Sequence, residues 1–221
     1  MVPSVARWVK AQGMAGKTEF VTPWGICDFV GLRFDPEKVR LRVQQNQLRA
    51  ISSIPRACIL LEIPDAETGD STTVDRLARK FAPLFSEESV HKEINRLIAD
   101  RFVISCSRRR LQKRNGWMPL HDRIVAIEMK LFKVEEAMHQ AANNLGFADE
   151  SYVALPANVA GRVTSVPARW SKFFELGIGL LGVTHRRCEV VRSAQKTRNW
   201  VDDAVQLYSV DKFWKRGLRG S

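Results

Sequence analysis

The sequence predicts an α/β fold in which a mixed sheet flanked by helices is interrupted by a mainly helical insert. Two apolar segments near the start have the alternation and turn residues of a β-hairpin. A strand-helix-strand pattern follows much later in the chain and implies partly parallel strands. Between them, hydrophobic residues recur at helical spacing. We therefore expect a discontinuous core over residues 1–37 and 117–195, an insert over 38–116, and a basic C-terminal tail over 196–221.

The first part of the sheet is predicted as a short helix over residues 4–12 followed by a hairpin. Its strands are Glu19–Trp24 and Ile26–Phe34, joined at the turn-forming sequence Pro-Trp-Gly. Alternation along the second strand places Asp28 on the same face as Val30. Aspartate is depleted from strand interiors and costly to bury without a partner, so Asp28 is a candidate functional residue.

The insert is predicted as three helices followed by a β-prone segment. They are Gln47–Leu61, Thr72–Phe81, Ser86–Asp100 and Phe102–Cys106. Ser86 is a candidate N-cap, because acidic residues and then an apolar stripe follow it. Residues 72–104 resemble the helix-turn-helix and first wing strand of bacterial winged-helix domains.

This resemblance implies a surface that binds duplex DNA. On the recognition helix it implies exposed polar side chains at Ser89, His91, Lys92, Asn95 and Arg96. In a wing over residues 107–116 it implies phosphate contacts from Arg108, Arg109, Arg110, Lys113 and Arg114. A protein-interaction module with a solvated basic loop is the alternative.

The second part of the sheet begins with a predicted strand, Arg123–Phe132, on which Glu128 and Lys130 share one face. A helix over 134–145 and a strand over 150–155 follow. Residues 174–183 and 187–192 are predicted to form a further strand pair, and the chain from Asn199 is predicted to be helical. The strand-helix-strand order places the two charged residues in a sheet with at least one parallel pair.

Composition favours a polyanionic partner. Lys and Arg number 35 against 24 Asp and Glu, a formal charge of +11. Residues 38–120 hold 16 basic and 9 acidic side chains, whereas residues 121–161 hold 3 and 6. A locally acidic pocket beside basic surface suits cation-assisted phosphate chemistry. The four cysteines and four histidines lack metal-ligand spacing, which argues against a zinc site. Without a signal-peptide core or a spanning apolar run, we expect a cytoplasmic protein that does not bind membranes.

Asp28, followed in a neighbouring strand by Glu128-Met129-Lys130, is similar to the PD-(D/E)xK, or restriction-endonuclease-like, nuclease superfamily. The resemblance covers about half of the chain. It implies that Asp28 and Glu128 bind Mg²⁺, with Mn²⁺ as a substitute, and that Lys130 acts on the attacking water and the developing charge. Gln140 matches a glutamine that some branches carry beside the active site. The aromatic residue usual four positions later is replaced by Asn144.

Other carboxylates compete for the metal. Asp122 lies only six residues before Glu128, too few for a turn and a second strand. Glu62 and Asp65 fall inside the helical insert. The first helix lacks the glutamate that many relatives carry, for which Glu19 is a candidate substitute.

The expected function is metal-dependent hydrolysis of DNA phosphodiesters, with the insert docking the duplex and the basic tail adding contacts to the DNA backbone. A DNA-binding regulator with an inactive nuclease-like scaffold is the main alternative. A protein-interaction subunit is a third, and a homodimer stays open.

Overall fold

The computed structural model describes residues 1–106, 110–196 and 201–217. The chain forms two compact units, described separately below. The core unit comprises residues 1–34 and 121–202, and the insert unit comprises residues 35–120 and the chain from 203 onward. The C-terminal segment thus differs from the separate tail predicted from sequence. The reason is hydrophobic, since Ala204 and Leu207 are buried in the core of the insert unit.

Helices and strands alternate through most of the chain. The helices are α1 (Val2–Ala11), α2 (Pro36–Gln44), α3 (Ile54–Glu62), α4 (Val74–Phe81), α5 (Glu87–Ala99), α6 (Val134–Asn144), α7 (Ala157–Ser165), α8 (Ser171–Glu175) and α9 (Asp203–Gly217). The strands are β1 (Ala15–Thr22), β2 (Gly25–Phe34), β3 (Thr72–Thr73), β4 (Val103–Cys106), β5 (Arg110–Lys113), β6 (His121–Met129), β7 (Glu150–Pro156), β8 (Gly179–Val183) and β9 (Cys188–Arg192). No helix among the described residues is long and apolar enough to cross a bilayer.

The core unit is an α/β unit built on a six-stranded mixed sheet, which confirms the general fold class. The strand order is β1-β2-β6-β7-β8-β9. Strands β6, β7 and β8 are parallel, and the remaining pairs are antiparallel. Alternation directs Val125 and Ile127 towards α1, whereas Val153 and Leu155 pack with α6 and α7. Both faces of the sheet are therefore covered by helices.

Three predicted strands in the core unit need corrected bounds. The first, predicted over residues 19–24, spans Ala15–Thr22. The strand predicted over 123–132 ends at Met129, and the one predicted over 174–183 starts at Gly179. Helix α8 occupies Ser171–Glu175 because Phe173 and Phe174 pack at helical positions into the core under α6 and α7. The strand pair itself is confirmed as the antiparallel β8 and β9.

The insert unit has the order α2, α3, β3, α4, α5, β4, β5, followed by α9. Its small antiparallel sheet has the strand order β3-β5-β4. Helix α5 begins at the predicted cap, since the Ser86 hydroxyl accepts a hydrogen bond from the Ser89 amide. The helix predicted from residue 47 instead starts at Ile54. Ser53 caps this helix and a proline follows in its first turn, so the capping residues place the start of the helix later than the apolar pattern does.

Helix α2 was not predicted from sequence. The Asp35 side chain accepts from the Glu37 and Lys38 amides, and Pro36 occupies the first turn, a favourable start for a helix. Arg42 of α2 forms a fully buried ion pair with Asp211 of α9, with N–O distances of 2.7 and 2.6 Å. This pair links the C-terminal helix to the rest of the insert unit.

Candidate active site

The two candidate carboxylates lie where the beginning of β2 adjoins the end of β6. Regular pairing of these antiparallel strands extends to Phe29 opposite Ile127, and its continuation would set Asp28 opposite Glu128. Asp28 is half-buried, and its Oδ2 accepts a hydrogen bond of 2.7 Å from the Met129 amide. One oxygen of Asp28 therefore anchors the end of β6.

Strand alternation breaks at Asp28. A regular strand would place Cys27 and Phe29 on one face, as the sequence predicts. Instead Phe29 packs with α1, whereas the Cys27 sulfur accepts from Asn144 Nδ2 of α6 at 3.5 Å. Across the hairpin, Glu19 has a φ of 48°, a conformation rare for a residue with a side chain. The distortion brings Cys27 to the face that carries Glu128.

Glu128 is a buried carboxylate with one oxygen satisfied. The residue is 2% exposed, and its Oε1 accepts a hydrogen bond of 2.7 Å from Asn144 Nδ2. Its Oε2 has no hydrogen-bond partner among the described residues. Burial raises the pKa of Glu128, and the charge of Asp28 adds to this effect. Hydrogen bonds from the Asn144 amide and the Cys27 thiol, together with the charge of Lys130, lower it. Glu128 thus interacts electrostatically with both other members of the predicted triad.

A small cavity of about 50 Å³ adjoins Glu128. Its lining residues come from the β1–β2 hairpin, β6 and α6: Thr22, Trp24, Gly25, Ile26, Glu128, Gln140, Asn143 and Asn144. Gln140 Oε1 is, like Glu128 Oε2, a buried acceptor without a protein partner in the described part of the chain. Two such acceptors on one cavity require a donor or a cation between or beside them. The volume is sufficient for one water molecule or one ion.

Lys130 has an ion-pair partner that the sequence did not identify. Its ammonium forms an ion pair of 3.2 Å with Glu136 Oε1 in the first turn of α6, and its side chain is 25% exposed. Glu136 also pairs with Lys133, and the hydrogen bonds from the two lysines lower the pKa of Glu136. Lys130 acts on Glu128 through its charge and not through a direct ion pair.

The side-chain oxygens at this site provide some of the ligands that a hard divalent cation prefers. Such ions prefer carboxylate and amide oxygens, which Glu128 Oε2 and Gln140 Oε1 supply, and Asp28 adds a second carboxylate nearby. No group of three or more His, Cys, Asp or Glu side chains suited to a metal occurs within residues 1–106, 110–196 and 201–217. The protein would therefore supply only part of the coordination shell of such an ion.

The competing carboxylates lie elsewhere or have partners. Asp122, at the opposite end of β6, accepts from Arg33 at 2.6 Å. In the insert unit, Glu62 pairs with Lys80, and Asp65 accepts from the Trp117 indole. Glu19 is exposed on the edge strand β1. None of the four lines the cavity beside Glu128. Asp28 does not line it either, but it adjoins Glu128 across the β2–β6 strand pair.

The insert unit presents most of the predicted DNA-binding side chains at its surface. Those on α5 are exposed: Ser89, His91, Lys92, Asn95 and Arg96. Arg110 is exposed on β5, and Arg114 donates to Gln45 Oε1 at 3.1 Å. Residues Arg108 and Arg109 lie outside the described residues.

Lys113 is the exception and requires a correction. It is 6% exposed, with its ammonium 4.0 Å from the centre of the Trp117 ring and 3.7 Å from Asp65 Oδ2. Burial lowers the pKa of Lys113, and Asp65 partly offsets this effect. Because side chains alternate along β5, the Lys113 side chain points inward and cannot present its charge to DNA phosphates.

Asn144 and Cys27 are site residues that the sequence alone did not identify. A signal for Asn144 was present, because it lies four residues after Gln140 on the same face of α6. The position at which the sequence departs from the nuclease pattern is thus the position that donates to Glu128. Cys27 had no such signal, since its orientation depends on the break in β2.

Comparisons with known proteins identify no relative of known function. No protein-family model and no curated protein matches this chain. A solved structure of a protein of unknown function from Silicibacter pomeroyi is similar over 99% of this chain and 84% of its own, with 15% sequence identity and a TM-score of 0.43.

Proposed function

We propose that this chain is a metal-dependent nuclease that hydrolyses DNA phosphodiesters, with a restriction-endonuclease-like core unit and a winged-helix insert unit. The observation that carries the proposal is Glu128. It is a deeply buried carboxylate with a raised pKa, one unsatisfied oxygen and a cavity beside it. A carboxylate that is buried in an apolar strand despite its desolvation cost is typical of a functional site.

Each residue of the proposed site has a separate task. Glu128 and Asp28 would hold Mg²⁺, and Gln140 would contribute an amide oxygen or orient a water. The ion, when bound, supplies Lewis-acid chemistry and a more acidic water. Asn144 fixes the orientation of Glu128 by donating to Oε1. Lys130 would exchange its ion pair with Glu136 for an interaction with the attacking water and with the charge that develops in the transition state.

The order of elements in the insert unit supports the winged-helix assignment. Helix, strand, helix, helix and two strands, with a small antiparallel sheet, is the order of that motif. The third helix of this order, α5, exposes hydrogen-bonding and basic side chains. The insert unit also contains 20 basic and 13 acidic residues. Phosphate binding is favoured by this excess.

The test is cleavage of plasmid and linear DNA with Mg²⁺, Mn²⁺ or EDTA. We expect cutting only with the cations, and a loss of roughly 10²-fold or more in Glu128→Gln and Lys130→Met, as for removal of one acid-base or electrostatic group. Lys130→Met should keep its DNA affinity. Asp122→Asn is the matched control on the same strand and should cut normally.

A second candidate function is a DNA-binding regulator with an inactive core unit. The pairing of Lys130 with Glu136 favours it, because this lysine is already engaged. DNA binding that persists with no cation-dependent cleavage, under every metal condition and in single-turnover assays, would support this alternative and reject the nuclease.

A further inference from the structure

A second depression of the core unit lies beside the turn that joins β6 to α6. Its volume is about 530 Å³, within the range of roughly 300–1,000 Å³ typical of ligand sites. It is lined by Phe132, Lys133, Val134, Glu135, Glu136, Arg169 and Trp170. We call this depression the aromatic groove. It begins two residues after Lys130, and its lining includes Glu136, the ion-pair partner of Lys130, and Lys133, which also pairs with Glu136.

Phe132 is the most exposed large hydrophobic residue among those the structure describes, at 83%. Its backbone is held between the end of β6 and the start of α6, where its carbonyl accepts from the Val134 amide at 2.8 Å. The ring is therefore presented on a short, anchored turn. Aromatic side chains, phenylalanine among them, are enriched at interfaces relative to the rest of a protein surface.

The other side of the aromatic groove combines an indole with cations. Trp170 is buried at 7% exposure, and the Arg169 guanidinium lies 5.0 Å from the centre of its ring. Lys133 is 76% exposed and shares Glu136 with Lys130. The remaining acid, Glu135, lies in the first turn of α6. The lining thus contains two basic and two acidic side chains. An aromatic ring beside a guanidinium and an ammonium can stack a nucleobase and contact its phosphate.

We propose that the aromatic groove binds an unpaired nucleobase stacked on Phe132. The inference rests on the proposed nuclease function and specifies its substrate class: duplex DNA that carries an unpaired nucleotide, such as an overhang or a flap. A base within continuous duplex is covered by its neighbours in the stack and cannot reach Phe132. An unpaired base has a free π-face, and stacking does not depend on its identity.

The test is binding of labelled DNA by fluorescence anisotropy in EDTA, where no cleavage occurs. The ligands are duplexes with a 5′ or 3′ overhang, the same overhangs with abasic nucleotides, and a blunt duplex of equal length. The proteins are wild type, Phe132→Ala, and Leu131→Ala as matched control, since Leu131 is 56% exposed and does not line the aromatic groove. Melting temperatures establish that both variants are folded.

We expect wild type to prefer one overhang to the blunt duplex. Phe132→Ala should weaken overhang binding by roughly 5- to 150-fold, the effect of losing one base–aromatic stack, and leave blunt binding unchanged. Abasic overhangs should bind equally to wild type and Phe132→Ala. Equal losses for overhang and blunt DNA, full binding of abasic overhangs, or an equal effect of Leu131→Ala would overturn the proposal, as would the absence of DNA binding.

Failure of the proposed nuclease gives a different result. If Glu128→Gln and wild type both leave DNA intact with Mg²⁺ and Mn²⁺, yet the Phe132-dependent preference for overhangs persists, base stacking stands and catalysis is rejected. If wild type cuts overhang and blunt DNA equally well and Phe132→Ala is normal, catalysis stands and the aromatic groove is rejected.

Discussion

The core unit and the insert unit both bury charged side chains, but they satisfy them differently. In the insert unit the side chains of Arg42 and Asp211 are 0% exposed and form two direct hydrogen bonds. Asp211 Oδ2 also accepts from the Ile51 amide. In the core unit Glu128 is nearly as buried, yet its Oε2 has no protein partner among the described residues.

This comparison separates structural charges from functional ones. Desolvation makes a buried ion costly, so a structural pair persists only where hydrogen bonds satisfy its atoms. The core unit also contains such a pair, because Arg123 donates to both oxygens of Glu150 at 2.8 and 2.6 Å. Glu128 therefore differs in its hydrogen bonding both from Glu150 on the neighbouring strand β7 and from Asp211 in the insert unit. Its free oxygen is the property that points to a ligand.

The largest expected effect follows from breaking the pair in the insert unit. Asp211→Asn leaves Arg42 buried without its counter-charge and should lower the free energy of unfolding by about 3–5 kcal/mol. Urea denaturation followed by tryptophan fluorescence measures this, with the cation–π partner Trp214 of Arg42 as a local reporter.

The double variant Arg42→Met/Asp211→Leu provides the control. It removes both charges, so it should be more stable than Asp211→Asn alone. A loss below about 1 kcal/mol in Asp211→Asn would show that the pair does not hold α9 to the insert unit.

Sequence patterns captured the elements whose signals are local. The alternation of β6, the helical spacing of α5 and its Ser86 cap were all visible in the chain. The α2–α9 connection was not, because the ion pair joins residues separated by 169 positions. The same limit applies to the candidate site. Asp28 and Glu128 were identified by their apolar surroundings, whereas the Asn144 hydrogen bond and the altered face of Cys27 depend on tertiary packing.

The stability of the core unit should depend on the charge of Glu128. Glu128→Gln removes a buried charge without changing its shape, so it should raise the free energy of unfolding at pH 7, by up to about 1–3 kcal/mol, the cost of an unsatisfied buried group. This sign is opposite to that of Asp211→Asn. Burial raises the pKa of Glu128 above that in the unfolded chain. Wild type therefore loses stability relative to Glu128→Gln as pH rises through the range between the unfolded and folded pKa values, and the two converge at lower pH.

Chemical denaturation of both proteins from pH 3.5 to 8 measures this difference. A Glu150→Gln variant is the matched control, since it breaks a satisfied pair and should destabilise at pH 7. If the Glu128→Gln variant were less stable than wild type at pH 7, Glu128 would have a structural partner.

A smaller effect is expected for DNA affinity. Arg110→Ala removes an exposed charge from β5 of the insert unit and should reduce the log-log salt slope of DNA binding by roughly 0.9, one phosphate contact. Fluorescence anisotropy between 50 and 200 mM salt measures the slope. Arg187→Ala removes an exposed charge from the core unit and serves as control. Equal slopes in the two variants would indicate that net charge alone determines binding.

The smallest effect is expected at the surface of the core unit. Asp122 and Arg33 form a close ion pair, but their side chains are 46% and 44% exposed, so water and salt screen it. Asp122→Asn should change the free energy of unfolding by less than about 1 kcal/mol and leave metal binding intact.

Asp28→Asn, measured beside it, should weaken Mn²⁺ binding in calorimetric titration because Asp28 lies at the Glu128 end of β6. If Asp122→Asn weakened Mn²⁺ binding and Asp28→Asn did not, the first carboxylate would have been assigned to the wrong end of the strand. Thermal and calorimetric data from the same preparations therefore test the position of the site independently of cleavage.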